Sequence, residues 1–167
     1  KVALTVDADD ALHDAIMEAL RPDLLQLHGH ETPERVAALK ARFGLPVMKA
    51  VPVETTADLI AVPAYVAVAD WVLFDARAPK DATRPGGLGK PFDWTLLKGL
   101  DPALPFMLSG GLEPGNIGQA LAVTGAPAVD VSSGVELRPG VKDPSKIAAF
   151  IRAVRAADAA RAKVVSS

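Results

Sequence analysis

Phe106-Met107-Leu108-Ser109-Gly110-Gly111-Leu112 is a short apolar run that breaks into a serine and two glycines, and Val129-Asp130-Val131-Ser132-Ser133-Gly134-Val135-Glu136 repeats that plan further along the chain. Near-continuous apolar runs of this length read as buried parallel strands. The glycines behind them let an anion approach the main chain closely, the serines add hydroxyl donors, and a helix starting there turns its N–H groups toward the anion. Two such loops after the last two strands match the phosphate site that a barrel forms after strands seven and eight.

Outward from these loops, strand-like runs precede them at Val2 to Val6, Leu24 to Leu27, Val47 to Val51 and Trp71 to Phe74. Helical stretches lie between. Asp10 to Leu20 places Leu12, Ala15, Ile16, Ala19 and Leu20 on one face. Thr32 and Pro33 open a second helix that stops at Gly44 and Pro46. A third region, Thr56 to Ala69, is interrupted by Pro63. Asp93 caps a short helix through Lys98, Pro114 opens one through Val123, and Asp143-Pro144 opens the last. Strict alternation of strand and helix requires a parallel sheet, either doubly wound or a (β/α)₈ barrel. The two glycine loops favour the barrel. The expectation is one α/β domain over residues 1–167, a TIM barrel with six of its eight βα units, the strands being numbers three to eight.

The 167 residues are 50% hydrophobic and 23% charged, with 18 basic against 20 acidic side chains and a net charge of −2. Such a balance gives no electrostatic reason to expect nucleic acid or an anionic membrane as partner. With no cysteine there is no disulfide, no zinc-thiolate site and no thiol nucleophile in these residues. No apolar run approaches the roughly 20 residues of a membrane helix and no leader is visible, so a cytoplasmic location is expected. The chain begins in a strand-like run, Lys1-Val2-Ala3-Leu4, without an initiator Met, so its natural start is expected to lie further upstream.

Ligands of such folds sit at the C-terminal ends of the strands. Gln26-Leu27-His28-Gly29 puts an imidazole there, able to hold an anion or a substrate hydroxyl, or merely to cover a strand end. His28 and His30 have no third ligand nearby, so no metal site is expected. Leu73-Phe74-Asp75 ends an apolar run in a carboxylate, placed either for acid catalysis or for a cap or an ion pair with Arg77. Pro85-Gly86-Gly87-Leu88-Gly89-Lys90 has the glycine density of an anion loop or a hinged lid, although Lys90 is not followed by Ser or Thr as in a nucleotide P-loop.

Together, Gln26-Leu27-His28-Gly29, Leu73-Phe74-Asp75, Gly86-Gly87-Leu88-Gly89 with Phe92-Asp93-Trp94, Leu108-Ser109-Gly110-Gly111-Leu112 and Asp130-Val131-Ser132-Ser133-Gly134-Val135-Glu136 resemble the phosphoribosylanthranilate isomerases of tryptophan biosynthesis, in this order over nearly the whole chain. The resemblance implies a (β/α)₈ barrel without metal or organic cofactor, present as monomer or homodimer, whose partner is a small phosphorylated substrate. It implies an Amadori rearrangement of N-(5-phosphoribosyl)anthranilate to 1-(2-carboxyphenylamino)-1-deoxyribulose 5-phosphate. Asp75 matches the family's general acid, His28 and Asp130 line the same pocket, and Gly110, Gly111, Ser133 and Gly134 match the phosphate grip. Asp93 and Trp94 start and pack a helix.

The family's general base, a Cys in a Lys-Ile-Cys-Gly-like segment on the first strand, has no counterpart here, nor has the Arg after the second strand. Roughly 50 further residues, two βα units, are therefore expected in the natural protein, and the 17.4 kDa chain alone is expected to turn over negligibly. Two other readings share the late glycine loops. One is another phosphosugar barrel, an indole-glycerol-phosphate synthase or an epimerase, for which Lys49 is the only inward-facing lysine expected. The other is a non-catalytic phosphate-binding fragment.

Overall fold

A computed structural model describes residues 1–77, 91–101 and 103–165. Six parallel strands, β1 (Val2–Thr5), β2 (Leu24–Leu27), β3 (Val47–Val53), β4 (Trp71–Ala76), β5 (Phe106–Leu108) and β6 (Ala128–Val129), lie side by side in chain order. A doubly wound sheet reverses its strand order partway, whereas this sheet never does. The winding is that of a (β/α)₈ barrel, of which the described residues carry six strands. Among the described residues the sheet stays open between β1 and β6.

The helices start and stop where local chemistry dictates. In α1 (Asp10–Leu20) the Asp9 carboxylate accepts from the Leu12 N–H at 2.8 Å, and the helix ends at Arg21 in the left-handed region. In α2 (Pro33–Phe43) Thr32 caps, Pro33 occupies the first turn, and Gly44 at φ 63° closes it, as the sequence predicts. Pro63 does not break a long helix; it opens the short α3 (Val62–Val66), separated from a 3₁₀ turn at Thr56–Leu59. A second 3₁₀ turn, Trp94–Leu97, carries the Asp93 cap, and α4 (Ile117–Thr124) and α5 (Pro144–Val165) complete the helical layer. After a 3₁₀ turn at Ser133–Val135, the antiparallel hairpin β7 (Glu136–Arg138) and β8 (Val141–Lys142) is an element the sequence reading does not anticipate.

Side chains alternate between the sheet's two faces. Leu4, Gln26, Met48 and Trp71 fall in one register row, and Leu73 lies beside Ala50 and Met107 in the next. Met48, Ala50 and Leu73 form the buried centre of this inner face. On the outer face, Leu25, Leu27 and Val47 pack with Val36 and Leu39 of α2, and Phe74 and Leu108 pack with Ile117 and Leu121 of α4 and Phe150 of α5. Phe74 meets Phe106 edge-on at 5.5 Å between centroids. Among the described residues no helix is long and apolar enough to cross a membrane.

Candidate active site

The inner face carries a polar row at its C-terminal rim. In register terms Pro52 stands opposite Asp75, and His28, Ser109 and Asp130 each follow inner-face residues by two, on β2, β5 and β6. A charged residue at the end of an apolar strand has to find partners before it can be buried. Asp75 is 4% exposed and has them: Oδ1 accepts from the Ala76 N–H at 2.9 Å, and Oδ2 lies 3.2 Å from His28 Nε2. Arg77 is not its partner, because that guanidinium pairs with Asp58 and Glu54. His28 and Asp75 both line a cavity of about 530 Å³ that also touches Lys49, Tyr65, Asp58 and Arg77.

On the next strands, Ser109 donates its hydroxyl to Asp130 at 3.2 Å. Gly110 (φ 86°) follows, and a Cβ there would overlap Ala76 and crowd Asp75, so only glycine lets β5 leave the sheet this close to the carboxylate. A Cβ on Gly134 would overlap the Leu112 carbonyl. The two glycine loops are therefore in van der Waals contact. Asn116, at the start of α4, donates to the Gly111 carbonyl and accepts from the Glu113 N–H, both at 2.9 Å. Lys142 donates to the Ser132 carbonyl at 2.9 Å and to Glu136 at 2.9 Å, which brings a cation beside the Ser132-Ser133 turn.

Lys49 does not face inward. It shares the β3 face of Val47 and Val51, opposite Met48 and Ala50, and its ammonium is engaged by Glu31 and by the carbonyls of Leu27, Gly29 and Ala50. Among the described residues, the lysine that a synthase reading requires is thus absent from the inner face. Glu31, Asn116 and Lys142 are polar residues of the site's surroundings that motif reading passes over, and Lys49 is one that it places on the wrong face. Lys49 carried a usable signal, since a lysine inside an apolar strand needs a buried partner. Asp7, next to the β1 rim, is held below the usual carboxylate range by hydrogen bonds from the His30 ring and backbone. Burial, reinforced by the Glu31 and Glu34 carboxylates, pushes the Tyr65 phenol up. Gly86-Gly87-Leu88-Gly89 lies outside the described residues, and among the described residues no three His, Asp or Glu side chains converge as metal ligands.

The chain and its fold are similar to those of known enzymes. The N-(5'-phosphoribosyl)anthranilate (PRA) isomerase family matches residues 1–153. The N-(5'-phosphoribosyl)anthranilate isomerase of Rhodopseudomonas palustris (strain BisB5) is 68% identical over 158 residues, covering 95% of this chain and 72% of the relative. The crystal structure of phosphoribosyl anthranilate isomerase from Thermotoga maritima superposes with a TM-score of 0.80 at 33% identity, over 93% of this chain and 72% of that one. A phosphoribosyl anthranilate isomerase crystallised with reduced 1-(o-carboxyphenylamino)-1-deoxyribulose 5-phosphate gives 0.77 at 30% identity, over 93% and 71%. With residues 1–153 of this chain matched by the family, the chain belongs to the phosphoribosylanthranilate isomerases.

Proposed function

We propose that the reaction of this family, the Amadori rearrangement of N-(5-phosphoribosyl)anthranilate in cytoplasmic tryptophan biosynthesis, is run here with Asp75 as general acid. The observation that carries the assignment is the His28–Asp75 contact of 3.2 Å at the strand ends, beside the Gly110 turn. Asp75 delivers a proton to the ribose ring oxygen as the C1–O bond breaks and the anthranilate nitrogen lone pair forms C1=N. The iminium then acidifies the proton on C2, and its removal gives an enolamine that collapses to the ketone as C1 gains a proton and the C2 hydroxyl gives one up. No atom is gained or lost overall. The resemblance gives the C2 step to a cysteine, and these 167 residues contain none.

His28 fixes the orientation of the Asp75 carboxyl, while Oδ1 stays occupied by the Ala76 N–H. Asp130, tied to Ser109, borders the reacting end of the sugar. Gly110, Gly111, Ser133 and Gly134 grip the phosphate with main-chain N–H groups, so that binding energy from a remote dianion positions the ring for the acid. Loss of substrate fluorescence on adding the purified protein tests the activity, and complementation of a tryptophan auxotroph lacking the isomerase tests it in the cell. Failure of the gene bearing this sequence to complement overturns the reading. Near-normal turnover by the 17.4 kDa chain alone would place the base within it.

A further inference from the structure

Glu31 and Lys49 are the most deeply buried ion pair among the described residues, each side chain 3% exposed and 3.1 Å apart, and no step of the proposed reaction uses them. Replacing a buried pair by apolar residues of similar size is often neutral or stabilising, so stability alone is a poor account of its presence. Its contacts give a better one. The Lys49 ammonium donates to the Leu27 carbonyl at 3.3 Å and to the Gly29 carbonyl at 2.7 Å, the carbonyls of the residues on either side of His28. The Glu31 carboxylate accepts from the Gly29 N–H at 3.0 Å. The pair thus takes both the N–H and the carbonyl of Gly29, and in the peptide unit before His28 the Leu27 carbonyl is held by Lys49 while the His28 N–H donates to the Thr5 carbonyl at 2.8 Å.

With its backbone fixed on both sides, His28 keeps only its side-chain torsions, and its ring reaches Asp75. The pair is braced in turn. Tyr65 donates its hydroxyl to the Glu31 carbonyl at 3.1 Å and sets its ring 5.7 Å from the ammonium, and the Asp7 N–H donates to Glu31 at 2.9 Å. We infer that Glu31 and Lys49 are positioning residues of the isomerase: they clamp the main chain around His28 so that its imidazole orients the carboxyl of Asp75. The inference rests on the isomerase reading for its kinetic consequence, and on geometry alone for the coupling of His28 to Asp75.

The test is the double variant Glu31→Gln/Lys49→Met, with Tyr65→Phe as a milder perturbation of the same brace. In folded protein, kcat is expected to fall about 10- to 100-fold, the scale set by small misplacements of reacting groups, while KM stays within about threefold. A merely structural role would reduce the folded fraction and leave kcat per folded molecule unchanged. A second readout needs no turnover: in the parent, Asp75→Asn shifts the nitrogen-resolved NMR signals of the His28 imidazole, and in the double variant that response disappears. Tyr65→Phe, which removes one hydroxyl, should weaken both readouts in the same direction. If the parent protein expressed from the whole gene shows no turnover yet His28 responds to Asp75→Asn only with the pair intact, the isomerase reading fails and the clamp stands. If folded variants keep kcat and the imidazole response, the clamp is overturned.

Discussion

His28 and Asp75 meet at 3.2 Å although His28 directly follows β2 and Asp75 lies in β4, strands that are not neighbours. The contact crosses the end of β3, where Pro52 is the residue in register with Asp75. An imidazole and a carboxyl brought together over an intervening strand are a property of sheet curvature and loop geometry together. That is why the loop holding Gly29 and Glu31 matters as much as the strands.

Asp75→Asn follows first from this contact. Asparagine keeps the shape and can still accept from the Ala76 N–H, so folding is expected to hold while the transferable proton is lost. Turnover should fall at least about 100-fold, the usual contribution of a positioned general acid. Binding of the reduced product analogue, measured by calorimetry, should change by less than about tenfold. A variant that unfolds instead gives Asp75 a structural role.

The close approach of the two glycine loops makes a steric prediction. In Gly134→Ala the new methyl group meets the Leu112 carbonyl and the adjoining backbone, neither of which is a flexible side-chain end. Overpacking of this kind costs about 2 kcal/mol, or roughly 5 °C in thermal midpoint for a chain of this size. Affinity for inorganic phosphate should weaken together with the midpoint. A midpoint and an affinity both unchanged would show that the loops do not share one cup.

Much of this was legible because it is local. Thr32, Pro33 and Gly44 bound α2 by chemistry contained within a turn, and Asp93 caps where its side chain reaches the following N–H group. The row of strand-end residues was legible because parallel strands all deliver their C-terminal ends to one rim. Lys49 was not, since the face it occupies depends on register with Leu27 and Val72 and not on its neighbours in sequence. The β7–β8 hairpin escaped for a different reason: its strands are two and three residues long, Leu137 is exposed, and the turn at Gly140 joins segments without alternation. Asp130 was expected inside a strand, and its N–H does bond to the Leu108 carbonyl, but β6 ends at Val129 as the chain turns toward Ser132.

Asp70 predicts the acid limb of stability. Burial alone would raise its pKa, but the Lys40 ammonium at 2.8 Å and the Val47 N–H at 2.8 Å outweigh it and hold the carboxyl below its ordinary value of 3.8. A group depressed in the folded state stabilises fully above its unfolded pKa, and that contribution is lost as pH falls through the folded value. Denaturant midpoints should therefore drop as the pH is lowered below about 4, and Asp70→Asn should flatten that part of the profile while lowering stability at neutral pH. An unchanged slope in the variant would remove Asp70 from the acid transition.

Asn116 tests whether the turn after β5 is built for its ligand. Its amide holds the Gly111 carbonyl and its oxygen holds the Glu113 N–H, so one side chain sets the direction of the peptide groups between them. Asn116→Ala leaves both without that partner. Because the turn lies at the protein surface, water can replace each bond, and the expected stability loss is modest, about 1 kcal/mol. The orientation it imposed on the Gly111 peptide cannot be replaced in the same way. Affinity for the phosphate-bearing analogue should therefore fall about tenfold or more, the equivalent of one well-aligned charge-assisted hydrogen bond, and Asn116→Asp, which keeps an acceptor for Glu113 but loses the donor to Gly111, should fall with it. If aspartate restores binding where alanine does not, the Glu113 contact sets the turn and the Gly111 carbonyl is incidental.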